Sequence, residues 1–175
     1  MSDMLAFFES IKKMVGTNHY NDFMLTYGRE YKTGPNTYAG PRLKPHNCFG
    51  NALHLTMIDS SLTYVEGKVF VYGVPLDHAW CISVDGIVID PTITDTDKEY
   101  AYFGVALKTD YVAKAVLLNK VYGVLDFFYA RKTVPKLFEL GLEAGQQWLL
   151  DQKTSKELTK YRREKEKSNE TVTCV

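Results

Sequence analysis

The stretch Asp77-His78-Ala79-Trp80-Cys81-Ile82-Ser83-Val84-Asp85-Gly86-Ile87-Val88-Ile89-Asp90-Pro91-Thr92 decides how this chain is read. Two apolar runs, from His78 to Val84 and from Ile87 to Asp90, flank an Asp-Gly turn signal. Pro91 ends the second run, so the stretch reads as an antiparallel pair. Side chains alternate along a strand, which places His78, Trp80 and Ile82 on one face and Ala79 and Cys81 on the other. The position of Asp90 depends on the turn. A two-residue loop at Asp85-Gly86 pairs Val84 with Ile87 and Cys81 with Asp90, which turns the carboxylate away from His78. A type I turn followed by Gly86 in the left-handed conformation makes a three-residue loop and pairs Ser83 with Ile87 and Trp80 with Asp90. Asp90 is then the diagonal neighbour of His78, about 7 to 8 Å away between backbones and within side-chain reach. The second arrangement is the one expected.

Upstream, Leu62 to Val74 is rich in Val, Tyr and Phe and reads as a strand; downstream, Tyr102 to Leu107 is a short one. Phe49, Ala52, Leu53, Thr56 and Met57 recur at the spacing of one helix face, which predicts a helix from Cys48 to about Ser60 packed on the core. Asn47 is in place to cap it. The Cys48 sulfur then falls in the first turn, where unpaired N–H groups and the helix dipole favour a thiolate, the nucleophilic form.

Farther out, Leu5, Phe8, Ile11 and Val15 form an apolar stripe for an N-terminal helix capped by Ser2 or Asp3. Gly28 to Pro45 holds three of the twelve glycines and three of the six prolines, so it reads as a long loop that excludes a helix or a central strand. After Asp110 helices return, one carrying Tyr122, Leu125, Phe128 and Tyr129 and another Leu137, Leu140, Ala144 and Trp148, with Pro135 between them. Residues 1–150 read as a single α+β domain. The tail from 151 to 175 reads as a charged helix or frayed end, with seven basic and five acidic side chains between Asp151 and Glu170.

Composition narrows the function classes. The chain has 175 residues, with 21 Lys plus Arg balancing 21 Asp plus Glu, which argues against nucleic-acid binding. The cysteines Cys48, Cys81 and Cys174 are odd in number and widely spaced, so a disulfide framework is disfavoured and a reducing, cytoplasmic setting is expected. Met1 to Phe8 lacks the basic opening of a signal peptide, and no apolar run reaches the roughly 18 residues of a membrane span.

A cysteine that opens a helix, a later His78-Ala79-Trp80 on a strand, and Asp90-Pro91-Thr92 closing the next strand resemble the core of the transglutaminase-like superfamily. That group includes peptide N-glycanases and certain bacterial peptidases and is distantly papain-like. The likeness covers about Asn47 to Thr92. It implies a nucleophile helix packed on an antiparallel sheet and a triad of Cys48, His78 and Asp90. It also implies attack on the carbonyl of a peptide or isopeptide bond through a thioester, with no cofactor. Cys48-Phe49-Gly50-Asn51-Ala52, Tyr64-Val65-Glu66-Gly67, His78-Ala79-Trp80 and Tyr102-Phe103-Gly104-Val105 also resemble small uncharacterised phage and bacterial proteins, which supply no activity.

In such a site His78 takes the thiol proton and Asp90 holds the imidazole tautomer. The backbone N–H of Cys48 is one oxyanion donor; Asn47 and Asn51 are both candidates for the second. Trp80 covers the imidazole. Tyr38 and Arg42 on the long loop are substrate-contact candidates, although loop tyrosines also serve as pins and loop charges as solvated groups. A zinc site built from Cys48, His78, Cys81 and Asp90 is disfavoured, because His78 and Cys81 face opposite sides of their strand; no metal ligands are assigned. The alternative to an enzyme is a non-catalytic interaction module on the same fold, such as a phage accessory protein gripping a host partner through the Gly28 to Pro45 loop and the C-terminal helices.

Overall fold

A computed structural model describes residues 3–16, 19–34, 38, 40, 43–93 and 100–125. Its elements run α1 (Asp3–Val15), α2 (His19–Tyr27), β1 (Arg29–Tyr31), α3 (Cys48–Ile58), β2 (Thr63–Val71), β3 (Val74–Ile82), β4 (Val88–Ile89), β5 (Tyr100–Leu107) and α4 (Thr109–Asn119). The expected α+β class holds, with helices laid against an antiparallel five-stranded sheet of order β1-β5-β2-β3-β4. No helix among the described residues is long and apolar enough to cross a membrane.

The alternation of β2, β3 and β5 divides the core between the two faces of the sheet. Tyr64, Ala79, Cys81, Phe103, Val105 and Leu107 face the helices and meet Phe8 of α1, Met24 of α2, Ala52 and Leu53 of α3 and Val112 of α4. The opposite face carries Val65, Val69, Trp80, Ile82, Tyr102 and Ala106, joined by Tyr31 and Val88. That second core exists because the sheet curls until its two edges meet. Lys32, just past β1, bridges Ile87, just before β4, and the Val88 N–H donates to the Lys32 carbonyl at 3.1 Å. Seven large side chains are thereby enclosed, with no second layer of helices among the described residues. Full burial of each is worth roughly 1.5–3 kcal/mol.

Four expectations change. The run from Leu62 to Val74 is not one strand, because Tyr72 and Gly73 form a two-residue turn that returns the chain into β3. Both central residues have positive φ, 49° and 79°, as a type I′ hairpin requires. A tyrosine in the first of those positions is unusual and hides the turn from composition. β3 accordingly begins at Val74 rather than at His78 and stops at Ile82. The helix α2 was not expected, although Tyr20, Phe23, Met24 and Tyr27 carry the helical spacing and the first three are buried. Third, the described part of Gly28 to Pro45 contributes the edge strand β1 at Arg29–Tyr31. Finally, the helix after Asp110 ends at Asn119. Lys120 takes a left-handed conformation, so Tyr122 and Leu125 lie in irregular backbone beyond it. The expected helices around Phe128 and Trp148 and the tail from 151 to 175 lie outside the described residues, as does Cys174.

Within α3 the expected face is largely right. Ala52, Leu53 and Thr56 are buried, whereas Met57 is 64% exposed.

Candidate active site

The three-residue loop is present. Gly86 donates its N–H to the Ser83 carbonyl at 2.9 Å with φ of 76°, and the Ser83 N–H donates to the Ile87 carbonyl, also at 2.9 Å. Cys81 pairs with Ile89 and Ile82 with Val88, which extends to Trp80 opposite Asp90. The carboxylate therefore falls on the His78 face, and the His78 Nε2–H donates to Asp90 Oδ2 at 2.7 Å. His78 is 5% and Asp90 1% exposed.

A buried carboxylate is costly unless its oxygens are met by donors, and those of Asp90 are. The N–H groups of Thr92 and Ile93 donate to Oδ1 at 2.8 and 2.9 Å, an arrangement made by the chain folding back on itself after Pro91. The Tyr102 hydroxyl donates to Oδ2 at 2.9 Å. Tyr102 was no part of the expected site: it comes from β5, and only sheet order β5-β2-β3 brings it there.

Cys48 opens α3 and is half-buried. The helix packs on the Ala79 and Cys81 face, where the Cys81 thiol donates to the Ala52 carbonyl at 3.5 Å. His78 points to the other face, but β4 pairs with β3 only at Cys81 and Ile82. The edge of β3 at His78 is thus not flanked by β4, and there the start of α3 meets the imidazole. The Cys48 side chain is near enough to the imidazole to act on its titration. With Nε2 committed to Asp90, Nδ1 is the nitrogen left for the sulfur.

Burial is the largest single influence on His78 and disfavours its charged form. The hydrogen bond to Asp90, the Cys48 side chain and the charges of both together outweigh it and raise the imidazole from 6.5 to about 9. His78 is therefore an imidazolium at neutral pH. Burial pushes the Cys81 thiol upward, and that residue is a packed core thiol.

The floor beneath the imidazole is bare backbone. Gly67, the cross-strand partner of His78, pairs on its other side with Gly104. A Cβ at Gly104 would come within 2.6 Å of the Trp80 ring, so the glycine makes room for the indole. Trp80 stacks on His78 with centroids 6.2 Å apart and planes 15° from parallel, and it is fully buried. Its Nε1–H has no hydrogen-bond partner among the described residues.

Two expected roles are not met. Asn47 occupies the N-cap position and its carbonyl accepts from the Asn51 N–H at 2.8 Å, but its side chain makes no capping bond. The carboxamide instead lies over Gly50, where a Cβ would sit 2.5 Å from Nδ2. Asn51 is not a free oxyanion donor: its Nδ2 has two hydrogens, and they go to the Lys44 carbonyl at 2.8 Å and to Thr92 Oγ1 at 3.0 Å. Tyr38 is half-buried against the helix-side core, the position of a loop pin. Arg42 lies outside the described residues. Asp77, adjacent to His78, faces away and pairs with Lys68 at 2.5 Å.

One further buried acid escaped the sequence reading. Glu66, on the helix side of β2, is 1% exposed and accepts from the Tyr64 hydroxyl at 2.9 Å and from the Val124 and Leu125 N–H groups. It fastens the chain leaving α4 to the centre of the sheet. No family model, curated protein or solved structure matches this chain.

Proposed function

We propose that this protein is a cysteine-dependent enzyme that acts on an amide bond, peptide or isopeptide, through a thioester, as its resemblance to the transglutaminase-like superfamily implies. The observation that carries the reading is the 2.7 Å hydrogen bond from His78 to Asp90, with the Cys48 side chain acting on the same imidazole. An imidazolium beside a sulfur stabilises the thiolate, and the carboxylate stabilises the imidazolium.

The steps follow from those parts. The Cys48 sulfur adds to the carbonyl carbon, and the charge that develops on oxygen is met by the Cys48 N–H at the start of α3. His78 passes its proton to the departing nitrogen, the C–N bond breaks, and an acyl-thioester remains. Neutral His78 then takes a proton from water, or from an incoming amine, as it attacks the thioester; the thiolate leaves and the enzyme is restored. Val74 and Leu76 lie on the His78 face of β3 and are 57% and 50% exposed, an apolar approach suited to a polypeptide substrate. A nucleophile that must stay reduced fits a cytoplasmic setting.

The test is to trap and then to turn over. A Cys48→Ala protein is incubated with cell lysate, retained proteins are identified, and wild type is asked to cleave, deamidate or cross-link them, with mass spectrometry seeking an acyl adduct on Cys48. A retained partner that wild type never alters would favour the non-catalytic interaction module.

A further inference from the structure

Asp90 Oδ2 accepts from two rings at once, His78 Nε2–H at 2.7 Å and the Tyr102 hydroxyl at 2.9 Å, while Oδ1 is occupied by two backbone N–H groups. The backbone donors already orient the carboxylate. The Tyr102 hydroxyl is therefore not needed to aim Oδ2, and what remains for it is to share that oxygen. We propose that Tyr102 is a positioning residue acting on His78 through Asp90, which divides the charge of Oδ2 between two donors and so limits how tightly the carboxylate holds the imidazole proton.

The surroundings leave few competing explanations. Among the described residues, the titratable groups around the imidazole are Cys48 from α3, Asp90 after β4 and Tyr102 from β5, while Gly67, its cross-strand partner on β2, carries no side chain. Tyr100 stands behind Tyr102, its ring centroid 6.5 Å away. Burial, and then the Asp90 charge, push the Tyr102 hydroxyl well above its usual range, so it stays a donor while His78 titrates. The ring itself is fixed edge-on against Trp80 at 5.0 Å, which keeps the oxygen on its target. An acid–base group needs a proton it can release. A buried imidazole in sole possession of a carboxylate oxygen would hold that proton more firmly than one that shares it.

This role rests on the enzymatic reading for its purpose but not for its test. The His78 ring is titrated by nitrogen-detected NMR, without substrate, in wild type, Tyr102→Phe, Asp90→Asn and the double variant. Tyr102→Phe should raise the His78 midpoint by ~0.5–1 pH unit, a fraction of one charge-assisted hydrogen bond, and should have no effect in the Asp90→Asn background. An unchanged midpoint, or an equal change in both backgrounds, overturns the proposal. Should Tyr102→Phe not fold, wild type labelled with carbon-13 at tyrosine Cζ gives the same answer: the Tyr102 signal must follow the His78 titration, and a flat signal counts against the shared oxygen. Turnover assays separate the two readings. A shifted midpoint without turnover removes only the enzyme, and turnover with an unmoved midpoint removes only the role of Tyr102.

Discussion

The Asn51 carboxamide nitrogen lies 3.0 Å from Thr92 Oγ1, and this bond ties the helix that begins with Cys48 to the segment that follows Asp90. Its other hydrogen holds the Lys44 carbonyl, just ahead of the helix. One buried side chain thus clamps three stretches of chain around the thiol.

Asn51→Leu should remove both bonds and leave the Lys44 carbonyl and the Thr92 hydroxyl without this donor, at about 1–3 kcal/mol. Urea denaturation measures the loss, and the alkylation rate of Cys48 should change with it. A variant as stable as wild type would show that the clamp is incidental.

The two described thiols should behave differently in the native state. Cys48 is half-buried beside an imidazolium, whereas Cys81 is buried with its thiol pushed upward. Iodoacetamide near neutral pH should label Cys48 at least ~10-fold faster than Cys81, and His78→Ala should slow the faster reaction. Equal, slow labelling of both would argue against a primed nucleophile.

Stability should fall as pH rises through the alkaline range. The folded imidazole sits at about 9 against an ordinary 6.5. Its stabilising contribution is therefore complete below about pH 6.5 and is lost as pH climbs through about 9, because the folded state binds the proton that the unfolded state has released. Cys81 acts in the same direction at higher pH, since its buried thiol stays neutral while the unfolded one ionises. Urea midpoints across this window measure the slope, and Asp90→Asn should flatten it.

Deleting Asp85 should leave the type I turn and its Gly86 bulge as a three-residue loop, now Ser83-Val84-Gly86, and so slip the following strand by one residue, pairing Ala79 with Asp90 and turning the carboxylate to the helix side of the sheet. In the deletion variant the His78 titration should drop well below about 9 even where circular dichroism shows the sheet retained. A preserved midpoint would mean that something other than loop length places the carboxylate.

Glu66→Gln should loosen the chain after α4. A neutral amide is a weaker acceptor for the Val124 and Leu125 N–H groups, and it brings in an –NH2 group where Glu66 accepts from the Tyr64 hydroxyl. Hydrogen exchange at those two amides should accelerate before that of β2. Unchanged protection would place the anchor elsewhere.

Much of the site was legible because its geometry is local. The side-chain period of a strand put His78 and Trp80 on one face, and the number of residues between Ser83 and Ile87 decided where Asp90 would fall. The helical spacing from Phe49 to Thr56 placed Cys48 at a helix start. The Tyr72-Gly73 turn was hidden because a tyrosine at positive φ carries no turn signal. The α2 stripe of Tyr20, Phe23, Met24 and Tyr27 is legible in the sequence at helical spacing.

The sequence by itself determined which residues lie at the ends and on the faces of their own elements, since helix and strand periods and short loops act between neighbours. Tertiary structure decided the rest. It closed the sheet through Lys32 and Ile87, spent both amide hydrogens of Asn51, and brought the Tyr102 hydroxyl from β5 to Asp90. Those contacts depend on strand order and on the curl of the whole sheet, which are set by how two cores pack at once rather than by any residue's neighbours in the chain.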